Sequence, residues 1–343
     1  MCIGDYIINE SISIREALEK LDSNGHGILF VCNNKRLKGV LSDGDIRRYI
    51  LKGGDICQTV KSMVNHTPIS LPVNTKTDIQ KFMKKNGITA IPLIDLDGKI
   101  KKIYFVTGEI IQEFQKLDTK VVIMAGGKGT RLYPYTQILP KPLIPIGEKT
   151  ITEHIINRFS RFGCHDITMI VNYKKKFIET YFSETALKIT FLEEEIFGGT
   201  GGGLKLLQNM NATFFMTNCD ILIDADYAEI LSSHIKQQNI LTMICARKKI
   251  QIPYGTIEIN SDGSLHALKE KPSFSVFTNT GFYVIEPEFL NKIPEQTFIH
   301  ITDVIDTCIK DGERIGVYII EEDAWMDMGQ LEELKKMQKK LQN

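Results

Sequence analysis

The sequence predicts an α/β protein of two domains. The larger, C-terminal one is built on a mixed, mostly parallel sheet, and the smaller, N-terminal one on a repeated βαββα unit. Three observations carry this. Strand-like and helix-like stretches alternate along the whole of the 343-residue chain, the pattern of α/β architecture. The run Val121-Val-Ile-Met-Ala125 is apolar at every position, as a strand covered on both faces must be. A unit of about 50–60 residues recurs weakly within residues 1–115, a period that marks an internal repeat.

The elements follow in order. Ser11 to Leu21 reads as a capped amphipathic helix, followed by a strand from Gly27 to Cys32, a turn at Asn33-Asn34 and a strand from Leu37 to Ser42. The second copy offers a helix from Thr75 to Asn86, a strand from Ala90 to Ile94, a turn from Asp95 to Gly98 and a strand from Ile100 to Val106. Each copy is expected to close on a further helix, one starting at Asp43 and one at Gly108. The polar stretch Gln115-Lys-Leu-Asp-Thr119 marks the boundary, giving domains of 1–117 and 119–343. Past the strand at 121–125 come a glycine-rich loop and a proline-spaced segment. A helix then runs from Ile151 to Phe162 with Ile151, Ile155, Ile156, Phe159 and Phe162 on one face, and Thr150 with Glu153 form its capping box. Further strands are read at 167–172, 189–193, 213–218, 240–246, 255–259, 282–285 and 315–320, and a last helix from Gln330 onward.

Composition removes several function classes. Apolar residues make up 43% and charged residues 24% of the chain, with zero formal net charge. That is ordinary globular composition without the basic excess of a nucleic-acid or anionic-membrane binder. No stretch approaches the about 18 apolar residues of a membrane span, and the N-terminus is too polar for a signal peptide. The seven cysteines are odd in number and form no CxxC pair, and the seven histidines form no HExxH. A disulfide framework and a zinc site are therefore not expected, and a reducing, cytoplasmic location is.

The residues that carry chemistry begin at Gly126-Gly-Lys-Gly-Thr-Arg-Leu132, directly after the first strand of the larger domain. Glycines let backbone N–H groups approach phosphate oxygens closely, and Lys128 and Arg131 add positive charge. The loop is neither a Walker A motif nor GxGxxG. Pro140-Lys-Pro-Leu143 follows, its prolines restricting the backbone that carries Lys141. The loop and this segment together resemble the signature of the sugar-1-phosphate nucleotidyltransferase family, and the resemblance extends over residues 120–343. It implies a Rossmann-like domain in which a sugar 1-phosphate attacks the α-phosphorus of a nucleoside triphosphate and expels pyrophosphate. It makes Ala125, Gly126, Gly127, Gly129 and Thr130 nucleotide-binding, and Arg131 and Lys141 catalytic through the phosphates. Asp220, at the end of an apolar strand, and Asp327, in Trp325-Met-Asp-Met-Gly329, match the family's Mg²⁺ ligands. Cys219 stands where the family usually has glycine. Gly255, Glu270, Lys271 and Asn279 are expected to bind the sugar phosphate.

The nucleobase is read from Glu193-Glu194-Glu195-Ile-Phe-Gly198-Gly199-Thr200, which resembles the family's base-reading strand and the loop after it. Uridylyl- and thymidylyltransferases tend to place Gln here, whereas an ionised Glu only accepts hydrogen bonds and so suits the adjacent N–H donors of guanine. GTP is therefore favoured. Which of Glu193, Glu194 and Glu195 reads the base is left open by the sequence; Glu193 and Glu194, with Gly199 and Thr200, are expected against the nucleotide. The N-terminal repeat resembles a cystathionine-β-synthase-type (CBS) pair. In Gly39-Val-Leu-Ser42-Asp-Gly-Asp45 the Ser42 hydroxyl and Asp45 carboxylate have the spacing to hold an adenine nucleotide. Val106 and Glu109 occupy the matching places in the second copy. Family members of this architecture resemble those of bacterial nonulosonate and flagellin-glycan pathways, which implies glucosamine 1-phosphate or its N-acetyl form as sugar. Mannose- or heptose-phosphate guanylyltransferases and UTP- or dTTP-dependent enzymes are the alternatives. A homodimer or higher oligomer is expected.

Overall fold

The computed structural model describes residues 1–75, 77–207, 210–295 and 297–329. The helix expected from Gln330 lies outside the described residues. Contacts divide the chain into two units, Met1–Glu113 and Phe114–Asn343. Phe114 and Leu117 pack on the core of the second unit, so the polar stretch read as a boundary is anchored on that side.

The first unit contains β1 (Ile7–Ile8), α1 (Ile14–Asn24), β2 (Ile28–Asn33), β3 (Arg36–Ser42) and α2 (Asp43–Leu51), with a sheet of order β1-β2-β3. Ser13 and Glu16 close a capping box on α1, so the helix starts inside the residues read as helical. The second copy is β4 (Leu71–Pro72), α3 (Ile79–Asn86), β5 (Ala90–Ile94) and β6 (Ile100–Phe105). It then departs from expectation: in place of a helix from Gly108 there is a strand, β7 (Ile110–Gln112), antiparallel to β6. Ser42 caps α2 in the first copy, but Val106 has no polar atom to offer at the equivalent point. Gly108, at φ +95°, instead turns the chain back along β6. Alternation along β2 buries Leu29 and Val31 under α1 and α2, and Phe30 and Cys32 against Ile103 and Phe105 of the second copy.

The second unit is built on β8 (Lys120–Ala125), α4 (Tyr135–Ile138), β9 (Pro145–Ile146), β10 (Lys149–Thr150), α5 (Ile151–Arg161), β11 (Ile167–Val171), α6 (Lys175–Ser183), β12 (Ile189–Glu193), α7 (Gly199–Gly202) and β13 (Phe214–Asn218). It continues with β14 (Ile221–Ile223), α8 (Tyr227–Gln237), β15 (Leu241–Gln251), β16 (Thr256–Ile259), β17 (Leu265–Lys269), β18 (Ser273–Ile285), α9 (Ile301–Lys310), β19 (Ile315–Glu321) and β20 (Trp325–Asp327). Seven strands form the sheet in the order β12-β11-β8-β13-β18-β15-β19. The first four are mutually parallel, β18 runs against both neighbours, and β19 is parallel to β15. Val121 and Ile123 of β8 pack towards α5 and α8 through Phe159, Phe162 and Tyr227, while Val122 and Met124 face Ile301, Val304 and Ile305 of α9. Both faces are covered, as the unbroken apolar run required. The small pair β14–β20 and the ribbon β16–β17 were not read as such from the sequence, and β18 begins nine residues before the 282–285 segment read as a strand. Among the described residues no helix is long and apolar enough to cross a membrane.

Candidate active site

The parallel strands β8, β11 and β13 end in register, with Ala125 beside Val171 and Met124 beside Asn218. The loops that leave these carboxyl ends surround a cavity of about 480 Å³, where open α/β sheets take their ligands. Gly126, Gly127, Gly129, Thr130 and Arg131 line it, whereas Ala125 is buried beneath. Gly129 is required by its backbone. Its φ is +66°, and a Cβ there would meet the Thr136 methyl at 2.9 Å. The Thr136 hydroxyl also donates to the Gly129 carbonyl at 2.8 Å, fixing the turn that turns Leu132 into the core and leaves Arg131 in the open.

Lys141 reaches the same cavity and pairs directly with Asp220, a carboxylate only 5% exposed. Burial opposes the Lys141 charge, but the nearby Asp220, Cys219 and Asp327 outweigh it and hold its pKa above the ordinary value. The ammonium is therefore secured. Asp327 arrives on β20, where it lies opposite Ile221 of β14, and Met328 donates to the Asp220 carbonyl at 3.0 Å. Burial, and then the charge of Asp220, push the Asp327 carboxyl above its usual range, and its Oδ1 accepts from Gly329 N–H at 2.6 Å. Two carboxylates crowded in this way are a donor set for a hard cation. Among the described residues no group of three or more His, Cys, Asp or Glu could hold a metal. A cation held here would complete its shell with phosphate oxygens. Burial pushes the Cys219 thiol up to about 12, which removes it as a nucleophile.

The three consecutive glutamates separate cleanly. Glu193 is exposed and paired with Lys175, and Glu195 is exposed. Glu194 is only 6% exposed and lines the cavity. Its N–H bonds the Val171 carbonyl at 2.9 Å and its carbonyl accepts from the Asn172 amide at 2.7 Å, which extends the sheet pairing by one residue. Oε1 accepts from Gly198 N–H at 3.0 Å, and Oε2 is buried without a partner. Burial raises the carboxyl's pKa, and the Gly198 bond opposes that rise. Gly126 is needed here as well, because a Cβ would lie 2.7 Å from Oε2. Gly199 and Thr200 also line the cavity, and the Thr200 hydroxyl accepts from Ile301 N–H at 3.2 Å.

A second cavity of about 400 Å³ contains Asp327, Asn279, Asp220 and Arg131. Of the four residues expected to bind sugar phosphate, Asn279 alone lines it. Its amide donates to the Tyr283 hydroxyl at 2.7 Å and its Oδ1 accepts from Gly281 N–H at 3.0 Å. Gly255, Glu270 and Lys271 sit at the exposed base of the β16–β17 ribbon and line neither cavity. The lining residues missed in the sequence include Asn218 and His300, which face both cavities, and Phe197, which stands beside Glu194. The Phe197 ring lies 5.9 Å from that of Phe298, which in turn meets His300 edge-on at 5.0 Å. Only the adjacency of Phe197 to the glutamates hinted at such a row.

In the first unit Ser42 and Asp45 are engaged with each other. The Ser42 hydroxyl donates to Asp45 Oδ2 at 2.6 Å and accepts from Asp45 N–H at 3.2 Å, capping α2, and Arg48 pairs with the same carboxylate. Glu109, the counterpart of Asp45, bonds His26 at 2.9 Å.

Comparison with known proteins matches residues 120–343 to the family described as "Nucleotidyl transferase" and residues 4–52 to "CBS domain". The bifunctional protein GlmU of Methanococcus aeolicus is 31% identical over 61% of this chain and 51% of its own length. The mannose-1-phosphate guanylyltransferase catalytic subunit beta of Dictyostelium discoideum is 30% identical over 62% of this chain and 61% of its own. A UTP–glucose-1-phosphate uridylyltransferase of Synechocystis is 30% identical over 62% and 60%. The chain thus spans about half to three-fifths of the length of the curated relatives it matches. Among solved structures, HddC from Yersinia pseudotuberculosis shares the fold at TM-score 0.52 and 23% identity, over 65% of this chain and 99% of that one. HddC has also been solved with GMP-PN, at TM-score 0.51 and 22% identity. With the family match covering well over half its length, the chain belongs to the nucleotidyl transferase family and carries an N-terminal CBS domain.

Proposed function

We propose that this chain transfers a guanylyl group from GTP to a sugar 1-phosphate, giving a GDP-sugar and pyrophosphate, with glucosamine 1-phosphate or N-acetylglucosamine 1-phosphate as the first acceptors to try. The observation that carries the base assignment is the buried Glu194 carboxylate, whose Oε2 has no partner among the described residues. An acceptor-only group at that point suits the N1–H and N2–H₂ donors of guanine. The related guanylyltransferases and the GMP-PN complex of HddC are in keeping with this. The uridylyltransferase relative keeps UTP as the second reading.

In the mechanism, backbone N–H groups of the 126–130 loop and the Arg131 guanidinium bind and orient the triphosphate. The Lys141 ammonium, kept protonated by Asp220, neutralises charge on the α-phosphate. An oxygen of the sugar phosphate attacks the α-phosphorus, the bond to the bridging oxygen breaks, and pyrophosphate leaves. Asp220 and Asp327 would hold a divalent metal, of which Mg²⁺ fits the all-oxygen donor set; bound there, it supplies charge neutralisation on the phosphates. Asn279, which lines the second cavity beside Asp220 and Asp327, orients the sugar. Phosphorus NMR of the full chain with GTP, Mg²⁺ and glucosamine 1-phosphate should show equal rises of pyrophosphate and a GDP-sugar. Slow release of inorganic phosphate alone would refute transfer.

A further inference from the structure

The segment that carries the two catalytic cations of the proposed reaction is held down at few points. Arg131 and Lys141 stand at its ends, and both line the nucleotide cavity. Between Leu132 and Pro140 only Thr136 is buried, and Tyr135 and Ile138 are 57% and 75% exposed. Apolar packing therefore does little to fix where this stretch lies. Among the described residues, the hydrogen bonds that tie 133–139 to the chain outside 129–141 all come from one side chain, Lys174. Its ammonium donates to the carbonyls of Thr136 at 3.5 Å, of Gln137, and of Ile138 at 2.8 Å. These are the last three carbonyls of α4, groups that a helix end leaves without a partner of its own. The three N–H donors of an ammonium match them in number.

Lys174 comes from a different part of the sheet. It follows β11, between Tyr173, whose N–H reaches the Gly126 carbonyl at 3.4 Å, and Lys175, the first residue of α6. Its backbone is left-handed, at φ +53°, a conformation that a long side chain keeps only where the surroundings impose it. From Lys174 the path to the phosphates is short. Thr136, whose carbonyl it holds, donates its hydroxyl to the Gly129 carbonyl at 2.8 Å, and its methyl stands where a Gly129 Cβ would need room. Lys174 itself lines neither cavity. Resting on the reading of residues 126–141 as the triphosphate-binding segment, we infer that Lys174 is a positioning residue. It fixes α4, and through α4 it sets Gly129, Arg131 and Lys141 against the phosphates.

Two variants of the full chain test this. Lys174→Met keeps a long stem and removes the donors, and Lys174→Arg keeps donors on a long stem. In hydrogen exchange of the free protein, amides of residues 130–139 should exchange about ten-fold faster in Lys174→Met than in the parent. Lys174→Arg should stay close to the parent, and all three should melt alike. In isothermal titration with Mg²⁺ and GTP or UTP, affinity for whichever triphosphate the parent binds better should fall about ten-fold in Lys174→Met, the size of loss that a slight misplacement of binding groups brings. The KM for sugar 1-phosphate should hold. Unchanged exchange over 130–139 in Lys174→Met would overturn the inference, and so would an Arg variant as impaired as the Met one. A lowered melting temperature with faster exchange throughout the chain would also overturn it, because the lysine would then serve general stability. A parent that binds neither triphosphate would refute the functional reading, while the exchange comparison still decides whether Lys174 fixes α4.

Discussion

Replacing Glu194 by Gln changes one atom at the point where the account places base selection. Oε1 accepts the Gly198 N–H at 3.0 Å, so the Gln carbonyl will keep that bond and the amide NH₂ will fall where Oε2 was. A donor then faces the guanine donors, while a pyrimidine carbonyl gains a partner. Leaving such groups unmatched in a buried site costs about 2–3 kcal/mol, or about 30- to 150-fold in kcat/KM for GTP. Use of UTP should hold steady or rise. The assay is pyrophosphate release with each triphosphate at fixed sugar phosphate. Glu193→Gln serves as control, since Glu193 is exposed and paired with Lys175, and its GTP-to-UTP ratio should stay at the parent value. An unchanged ratio in Glu194→Gln would refute the reasoning. The pH dependence has a definite sign. Burial lifts the Glu194 pKa above its ordinary 4.5, and the acceptor exists only when the group is ionised. GTP selectivity should therefore fade as pH drops through the raised value, a limb the Gln variant lacks. Stability runs the opposite way: the cost of ionising Glu194 sets in as pH rises through the ordinary carboxylate range and is complete above the raised value. Glu194→Gln should accordingly melt higher than the parent at neutral pH.

Asp220→Asn or Asp327→Asn should lower kcat by several orders of magnitude with far-ultraviolet circular dichroism unchanged, and near-normal turnover in both would exclude them as phosphate-side ligands. Phe197→Ala should raise KM for GTP and UTP alike by about ten-fold with little change in kcat, since an aromatic face stacks on any base; a change confined to one base would assign the ring a different part. A chain starting at Phe114 should melt higher than one starting at Thr119. Phe114 packs edge-on to Phe162 at 4.5 Å and beneath Arg158, and Leu117 packs on the same core. Losing both should cost about 2–4 kcal/mol, and equal melting temperatures would show that these contacts contribute nothing.

Much of the catalytic unit could be read from short-range signals. The apolar run at 121–125, the Thr150–Glu153 capping box and the glycine loop each specify their own geometry, and each lies where expected. Asp220 and Asp327 are more than a hundred positions apart, and only the β14–β20 pair brings them together. That pair is three residues per strand, too short for a periodicity to register. The choice among Glu193, Glu194 and Glu195 was equally hidden. In a run of identical residues alternation alone decides which is buried, and the pairing of Glu194 with β11 had to be seen. The helix expected from Gly108 failed for a local reason that was visible in Val106, a residue unable to cap. The ribbon residues Gly255, Glu270 and Lys271 show the remaining limit: a motif identifies a residue type in order along the chain, and not the reach of the arm that bears it.

The central claim is that this chain joins a guanylyl group to a sugar 1-phosphate. It is tested most directly by pyrophosphate release from the full chain with Mg²⁺, using GTP, UTP, dTTP and ATP against glucosamine, N-acetylglucosamine, mannose and heptose 1-phosphates. Turnover with GTP should be at least ten-fold above that with any other triphosphate, and strictly dependent on a sugar 1-phosphate. Equal turnover with UTP and GTP would contradict the assignment of Glu194, and pyrophosphate release that ignores the sugar phosphate would contradict nucleotidyl transfer to a sugar.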